Sequence, residues 1–224
     1  SLGGTSGGAR PKILTEIDGE DWIIKFPTYV DERDAGMIEY QYLICAGKCG
    51  INMPQTRLFH SDKCQGYFGV KRFDRKKENN ETKKIHMLTA AALLEIYFNQ
   101  PCMDYNDLMK LTKILTNNNW DDIDNMYRRM CFNVYAHNRN DHAKNFTYIY
   151  DEENETWRLS PAYDLTYSNT YYGEHTTTVA GNGRNPGIKE LTEVGVNAGL
   201  KKQYCEEVAG EIRGLVEDML NNYI

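Results

Sequence analysis

The sequence lacks the features that would assign it to a membrane, a secreted scaffold or a small metal-stabilised fold. No apolar run approaches the roughly 18 residues that cross a bilayer, and the N-terminus lacks the charged and apolar regions of a signal peptide. The six cysteines include no C-x-x-C pair and are too sparse for a disulfide framework, so reduced thiols are expected. We therefore expect a cytoplasmic protein that does not act at a membrane.

Positive charge is also scarce. The 224 residues carry a formal net charge of -6, which argues against a large nucleic-acid footprint, so no direct nucleic-acid binding is expected. The local basic run within residues 71–77 is interpreted as a solvated edge. With 41% hydrophobic and 26% charged residues, the composition is that of a globular protein with a substantial core.

Apolar periodicity divides the chain into two predicted parts, a small mixed lobe over residues 1–75 and a larger, mainly helical lobe over residues 76–224. In the first part, strands are predicted over residues 12–16, 22–26 and 67–73, and a helix over 35–48. Residues 76–84 are predicted to be a polar connector. Helices are predicted over residues 85–98, 105–115, 121–136 and 203–220, with a hairpin around residues 151–154. The predicted fold class is α+β.

The segment from Asn138 to Asn145, followed by this hairpin and then by Asp164, has the layout of a phosphotransfer centre. A protein kinase places a proton-accepting Asp five residues before an Asn, and a second Asp follows a short hairpin. Asn145 and Asp164 fill the two positions that hold Mg²⁺, whereas Asn140 stands at the position of the proton acceptor. An amide cannot accept a proton at neutral pH, so the motif predicts both a reaction and a defect in it.

This motif also suggests roles for other residues of the chain. The glycine-rich opening could approach phosphate through backbone N–H groups, although a linker has the same composition. Lys25, a cation in an apolar strand, suits a nucleotide phosphate, and Glu39 either orients it by an ion pair or is simply exposed. Lys144 could neutralise a transferred phosphoryl group, and His142 is interpreted as a hydrogen-bonding residue rather than a general base.

Five motifs in order resemble the HipA family of serine/threonine kinase toxins. They are Gly-Gly-Ala-Arg-Pro-Lys (7–12), Ile-Ile-Lys-Phe-Pro (23–27), Val-Lys-Arg-Phe-Asp-Arg (70–75), Asn-Asp-His-Ala-Lys-Asn (140–145) and Leu-Ser-Pro-Ala-Tyr-Asp-Leu-Thr (159–166). The resemblance implies a two-lobed kinase fold with ATP and Mg²⁺ as cofactors. It further implies phosphorylation of an aminoacyl-tRNA synthetase and neutralisation by a DNA-binding antitoxin of the HipB type.

The resemblance also implies residue roles. Lys25 is the nucleotide lysine, and Asn145 and Asp164 are the metal ligands. Catalytic positions fall on Asn140, Asp141 and Lys144. The residues assigned to the nucleotide are completed by Gly7, Gly8, Lys12, Lys71, Phe73 and His142, with Lys71 and Phe73 at the adenine hinge. Thr5 and Ser6 occupy the glycine loop where the family is autophosphorylated.

The sequence departs from the family in two ways. The family usually has Asp at position 140, and the adjacent Asp141 is a poor substitute because a one-residue shift moves a carboxylate by about 3 Å. The family's extra N-terminal segment is also missing and is expected either to have been removed or to be a separate chain. A pseudokinase that binds nucleotide without transferring phosphate is the main alternative. A metal-dependent nuclease built on His137, Asn138, Asn140 and His142 would leave Lys25 and Asp164 unexplained.

Overall fold

A computed structural model describes residues 10–27, 34–79, 81–98, 103–168 and 173–224, together with the side chains of these ranges except 96–98. Its N-terminal part contains the strands β1 (Lys12–Ile17), β2 (Glu20–Lys25), β3 (Thr56–Phe59) and β4 (Tyr67–Lys71). These strands form one antiparallel sheet of order β1-β2-β4-β3. The predicted strands β1, β2 and β4 are confirmed, while β3 was not predicted from the sequence.

The helix α1 (Ala35–Lys48) packs against this sheet and confirms the predicted helix. Gly36 permits the close approach, because a Cβ at this position would collide with the carbonyl oxygen of Gly66 just before β4. The opposite face of α1 reaches the rest of the molecule, where the Tyr42 hydroxyl donates to the carbonyl of Ala136 at 2.9 Å. The helix therefore ties the sheet to the helical part of the chain.

The predicted polar connector over residues 76–84 is wrong. This segment forms a hairpin of β5 (Arg75–Glu78) and β6 (Glu81–Lys84), in which Lys76 pairs with Lys83. Like charges directly opposite each other destabilise a strand pair, but Glu78 lies between these two lysines at 2.9 and 2.6 Å and offsets their repulsion. A strand pair with so few apolar residues gives no alternating signal in the sequence.

The predicted helix over residues 85–98 is also partly wrong, because its first turn is a strand. β7 (Met87–Thr89) pairs with β8 (Thr147–Asp151), which pairs in turn with β9 (Thr156–Leu159). The helix α2 (Ala90–Phe98) begins only after β7. The hairpin of β8 and β9 confirms the prediction around residues 151–154.

The remaining helices form the larger part of the molecule: α3 (Tyr105–Leu115), α4 (Trp120–Tyr135), α5 (Ile188–Asn197) and α6 (Lys202–Leu220). Apolar residues of α4 at three- and four-residue spacing, such as Ile123, Met126 and Met130, are fully buried and form the centre of the core. Helix α3 begins at a capping box in which Asp104 accepts the Asn106 N–H group at 2.9 Å. Helix α5 was not predicted from the sequence.

No helix in the described ranges is long and apolar enough to cross a membrane. The division at residue 75 stays a prediction; β5 begins at that residue, and three residues separate it from the end of β4.

Candidate active site

Three charged residues from distant parts of the chain meet at the junction of the sheet and the helical part. The Lys25 ammonium at the end of β2 lies 2.5 Å from Glu39 Oε1 and 2.6 Å from Asp164 Oδ1. Glu39 is 3% exposed on α1, so of the two alternatives left open by the sequence the structure has the ion pair with Lys25 and not a solvent-facing side chain. Arg10, directly after the glycine-rich opening, lies 3.4 Å from the other oxygen of Glu39.

The electrostatics of this cluster favour its fully charged form. Burial alone would lower the pKa of Lys25, but Glu39 and then Asp164 overcome this effect and raise it above 10.5. Burial likewise would raise the pKa of Asp164, yet Lys25 holds it below 3.8, with further help from Lys12 and Arg10. Both groups are therefore ionised at neutral pH.

Asp164 has backbone strain as well as charge. Its φ is 52°, in the left-handed region that only a few per cent of non-glycine residues adopt. Such a conformation costs on the order of 1–3 kcal/mol and persists where surrounding contacts impose it. The ion pair with Lys25 is one of these contacts, and it aims the carboxylate into the junction.

A cavity of about 410 Å³ opens beside this cluster. Its walls include apolar side chains from β2, α1 and β4 (Ile23, Leu43, Phe68 and Val70) and charged ends at Lys12, Lys25 and Asp164. Thr89, Thr147 and Tyr163 contribute from the other side. An apolar chamber with cations and carboxylates at one end has the size and chemistry for a nucleotide.

The segment after β4 forms one edge of the same cavity and includes Lys71 and Phe73, both predicted at the adenine hinge. The Phe73 ring lies 5.9 Å from that of Tyr163. Asp74 accepts two hydrogen bonds from the Arg72 guanidinium, at 2.8 and 2.6 Å, and one from Arg75 at 2.6 Å. Burial would raise the pKa of Asp74, but its bonds to Arg72 lower it. Ion pairs therefore stabilise this edge of the cavity.

The candidate catalytic loop, residues 138–145, lies next to the cavity. Asn140 is exposed, and its carbonyl accepts a hydrogen bond from Asn145 Nδ2 at 2.8 Å. Because Asn145 donates through its nitrogen, its Oδ1 oxygen remains the group that can serve a metal ion. The exposed Lys144 precedes Asn145 in a short 3₁₀ turn, Ala143–Asn145.

Tyr163 connects the two proposed metal ligands. It immediately precedes Asp164, and its hydroxyl donates to the carbonyl of Lys144, the residue before Asn145, at 2.8 Å. The same hydroxyl lies 2.5 Å from Thr147 Oγ1. The backbone segments that carry Asn145 and Asp164 are therefore held together, and their side-chain oxygens are of the hard type that Mg²⁺ prefers. Among the described residues no group of three or more His, Cys, Asp or Glu side chains could hold a metal by itself.

The loop residues Asn140, Asp141, His142, Lys144 and Asn145 are not among the described residues that line the nucleotide-sized cavity. His142 is exposed. Asp141 is 1% exposed and accepts hydrogen bonds from Tyr105 and from the backbone of Thr176 and Thr177. These contacts hold the Asp141 carboxylate inside the molecule, and its catalytic role stays a prediction.

Four predicted residues, Thr5, Ser6, Gly7 and Gly8, lie outside the described residues. Conversely, sequence reasoning missed Tyr163 and the hinge pair Arg72–Asp74. The motif around Tyr163 was noted only for its aspartate, and the link from Tyr163 to Lys144 depends on a loop closure that no local pattern signals.

Comparisons with known proteins agree with this geometry. Residues 4–220 match the family described as the HipA-like C-terminal domain. A protein of Sinorhizobium fredii with the name "Putative kinase Y4dM" is 26% identical over 182 residues, covering 75% of this chain and 42% of that protein. The chain thus spans less than half the length of this relative.

Two solved structures share the fold. HipA in the toxin–antitoxin complex of Shewanella oneidensis with HipB and operator DNA gives a TM-score of 0.74 at 16% identity, covering 97% of this chain and 57% of that one. The Helicobacter pylori proinflammatory kinase CtkA gives a TM-score of 0.59 at 10% identity, covering 93% and 90%. The fold is therefore the predicted two-lobed, kinase-like α+β fold, and the chain belongs to the HipA-like C-terminal domain family.

Proposed function

We propose that this chain is the ATP- and Mg²⁺-dependent phosphotransfer domain of a serine/threonine protein kinase. The observation that carries the proposal is the contact of Lys25 with both Glu39 and Asp164 at the charged end of the cavity. A kinase requires this lysine–glutamate pair and the metal-binding aspartate at the same time. Here Lys25 contacts both carboxylates at once.

Each residue has a proposed part in the reaction. Lys25 contacts the nucleotide phosphates, and Asp164 with Asn145 holds Mg²⁺, which neutralises charge on the phosphates when it is bound. The edge formed by Lys71 and Phe73 receives the adenine. Lys144, exposed beside Asn145, stabilises negative charge on the phosphoryl group as it moves to the acceptor hydroxyl.

The acceptor side is incomplete in this chain. Asn140 occupies the place where a carboxylate would orient the substrate hydroxyl and accept its proton. An amide can donate or accept a hydrogen bond there but cannot remove the proton. Binding of nucleotide is therefore expected to be intact while transfer is slow.

The partners follow from the family. We propose a protein acceptor of the aminoacyl-tRNA synthetase class and an antitoxin of the HipB type, supported by the likeness to a HipA that is assembled with HipB and operator DNA. Autophosphorylation at Thr5 or Ser6 would add nearly two negative charges to the glycine-rich loop, which would be drawn to basic partners such as Lys25 or Lys144 and compete with ATP.

The test is transfer of labelled phosphate from ATP to protein acceptors by this chain and by Asn140→Asp. Transfer by Asn140→Asp, with weak or no transfer by the parent, supports the kinase proposal. The competing function is a nucleotide-binding pseudokinase, which Asn140 itself favours. It predicts Mg²⁺-dependent ATP binding by both proteins and phosphate transfer by neither.

A further inference from the structure

A second cavity, of about 440 Å³, lies on the other side of the candidate catalytic loop. His142 and Lys144 line it from the loop, and Met103, Thr176 and Thr177 line it from two other segments. It shares no described lining residue with the nucleotide-sized cavity. A protein acceptor has to approach the exposed residue 140 from outside the nucleotide cavity, and this second cavity lies beside the same loop, at residues 142–144.

Asp141 joins the two walls of this cavity. Its Oδ1 oxygen accepts the backbone N–H groups of Thr176 and Thr177, at 2.9 and 3.1 Å. Its Oδ2 oxygen accepts the Tyr105 hydroxyl at 2.8 Å and lies 3.0 Å from His175 Nδ1. One buried carboxylate therefore binds three consecutive residues of a segment that is more than thirty residues away in sequence.

The backbone on both sides of Asn140 is bound to the same segment. The Thr177 hydroxyl donates to the carbonyl of Asp141 at 2.5 Å. Thr176 donates to the carbonyl of Arg139 through its N–H at 3.1 Å and through its hydroxyl at 2.9 Å. Arg139 and Asp141 flank residue 140, so the 175–177 segment determines where residue 140 lies.

We propose that Asp141 is a positioning residue for the acceptor: it holds the 175–177 segment against the candidate catalytic loop, and together they form the surface that receives the hydroxyl-bearing segment of the protein substrate. This assignment rests on the proposed kinase function. Asp141 touches neither nucleotide nor acceptor and acts through residue 140 and through Thr176 and Thr177. A displacement of about 1 Å at such a surface can cost on the order of 100-fold in rate.

A matched pair of substitutions separates positioning from simple fold stabilisation. Thr177→Val removes the hydroxyl that binds the Asp141 carbonyl, whereas Thr112→Val removes a hydroxyl from the core, where it donates to the carbonyl of Leu108 at 2.7 Å. Both threonines are at most 1% exposed, and the Thr112 hydroxyl also lies 2.8 Å from the Tyr148 hydroxyl, so the control loses at least as many buried hydrogen bonds as Thr177→Val. Only Thr177 lies at the proposed acceptor surface.

The kinetic experiment uses Asn140→Asp as the parent. We expect Thr177→Val to lower kcat/KM for the protein acceptor by about tenfold while the Kd for ATP stays unchanged, and Thr112→Val to change neither. Asp141→Asn, which keeps one oxygen for the two N–H groups, should retain more acceptor activity than Asp141→Ala. Equal effects of the two valine substitutions on kcat/KM would overturn the positioning role.

Hydrogen exchange tests whether Asp141 holds the 175–177 segment, and this test does not require kinase activity. In the chain as it stands, the Thr176 and Thr177 amides should be protected, and Asp141→Ala should accelerate their exchange while the β1–β4 sheet keeps its protection. If these two amides keep their protection in Asp141→Ala, or if the amides of α4 lose protection to the same extent, Asp141 does not specifically hold the 175–177 segment. If Asn140→Asp neither binds ATP nor transfers phosphate, the proposed function fails, and the exchange result still decides the link between the loop and the segment.

Discussion

The two sides of the candidate active site differ in how complete they are. On the nucleotide side, Lys25, Glu39 and Asp164 are in direct contact, and Lys25 and Asp164 are separated by 139 positions in sequence. On the proposed acceptor side, Asp141 also fixes the loop through its hydrogen bonds to Thr176 and Thr177. The exposed residue of this loop, Asn140, nevertheless has an amide in place of a carboxylate. Under the proposed function, nucleotide binding and proton acceptance depend on separate structures, so one can be lost while the other stays intact.

The largest expected effect is on the acceptor side. Asn140→Asp should raise the rate of phosphotransfer by about 10²- to 10⁴-fold, because a positioned general base contributes this much. The measurement is the initial rate of labelled phosphate incorporation at equal enzyme concentrations. Asn185→Asp, which adds the same charge at an exposed turn, is the control. Equal rates for Asn140→Asp and the parent would show that residue 140 is not at the base position.

On the nucleotide side, Asp164→Ala should abolish the stabilisation by ATP with Mg²⁺. For the parent, ligand at about 100 times its Kd should add about 2.7 kcal/mol to the free energy of unfolding. The measurement is the melting temperature with and without ATP and Mg²⁺, and Asp218→Ala on the exposed face of α6 serves as control. If Asp164→Ala is stabilised as much as the parent, the metal assignment is wrong.

A smaller effect is expected at Glu39, which touches the nucleotide only through Lys25. Glu39→Gln keeps the shape but replaces a charge-assisted hydrogen bond with a neutral acceptor, so ATP affinity should fall by about tenfold. Calorimetric titration measures the Kd, and Glu193→Gln at an exposed position of α5 is the control. An unchanged Kd would mean that Asp164 alone orients Lys25.

The smallest effect is the acid dependence of stability. Because Lys25 depresses the pKa of Asp164 below 3.8, its stabilising contribution is fully present above 3.8 and is lost as pH falls through the lower folded value. Urea unfolding between about pH 5 and pH 3 should therefore show a steeper loss of stability for the parent than for Lys25→Met. Lys48→Met, at an exposed position, should behave like the parent. If the stability of the parent and of Lys25→Met falls equally with decreasing pH, the ion pair between Lys25 and Asp164 does not contribute to stability.

Much of the fold was predictable because its elements have local signals. Helices α3, α4 and α6 have apolar residues at helical spacing, and their predicted bounds agree with the structure to within one residue. The hairpin of β5 and β6 was missed since its strands contain almost no apolar residues and are held by charge pairs such as Lys83 with Glu78. The sequence predicts helix at β7 because the pairing of this strand with β8 depends on residues about sixty positions later.

The sequence by itself determined the order of the motifs, the elements with strong periodicity and the chemical identity of the residues, including the amide at position 140. Only the tertiary structure decided which carboxylate faces which side: Asp164 meets Lys25, and Asp141, next to Asn140, turns into the core. The physical reason is that burial depends on partners brought by other segments. Asp141 is buried because Tyr105, His175, Thr176 and Thr177 satisfy its oxygens. The sequence around residue 141 contains no pattern from which these contacts could be predicted.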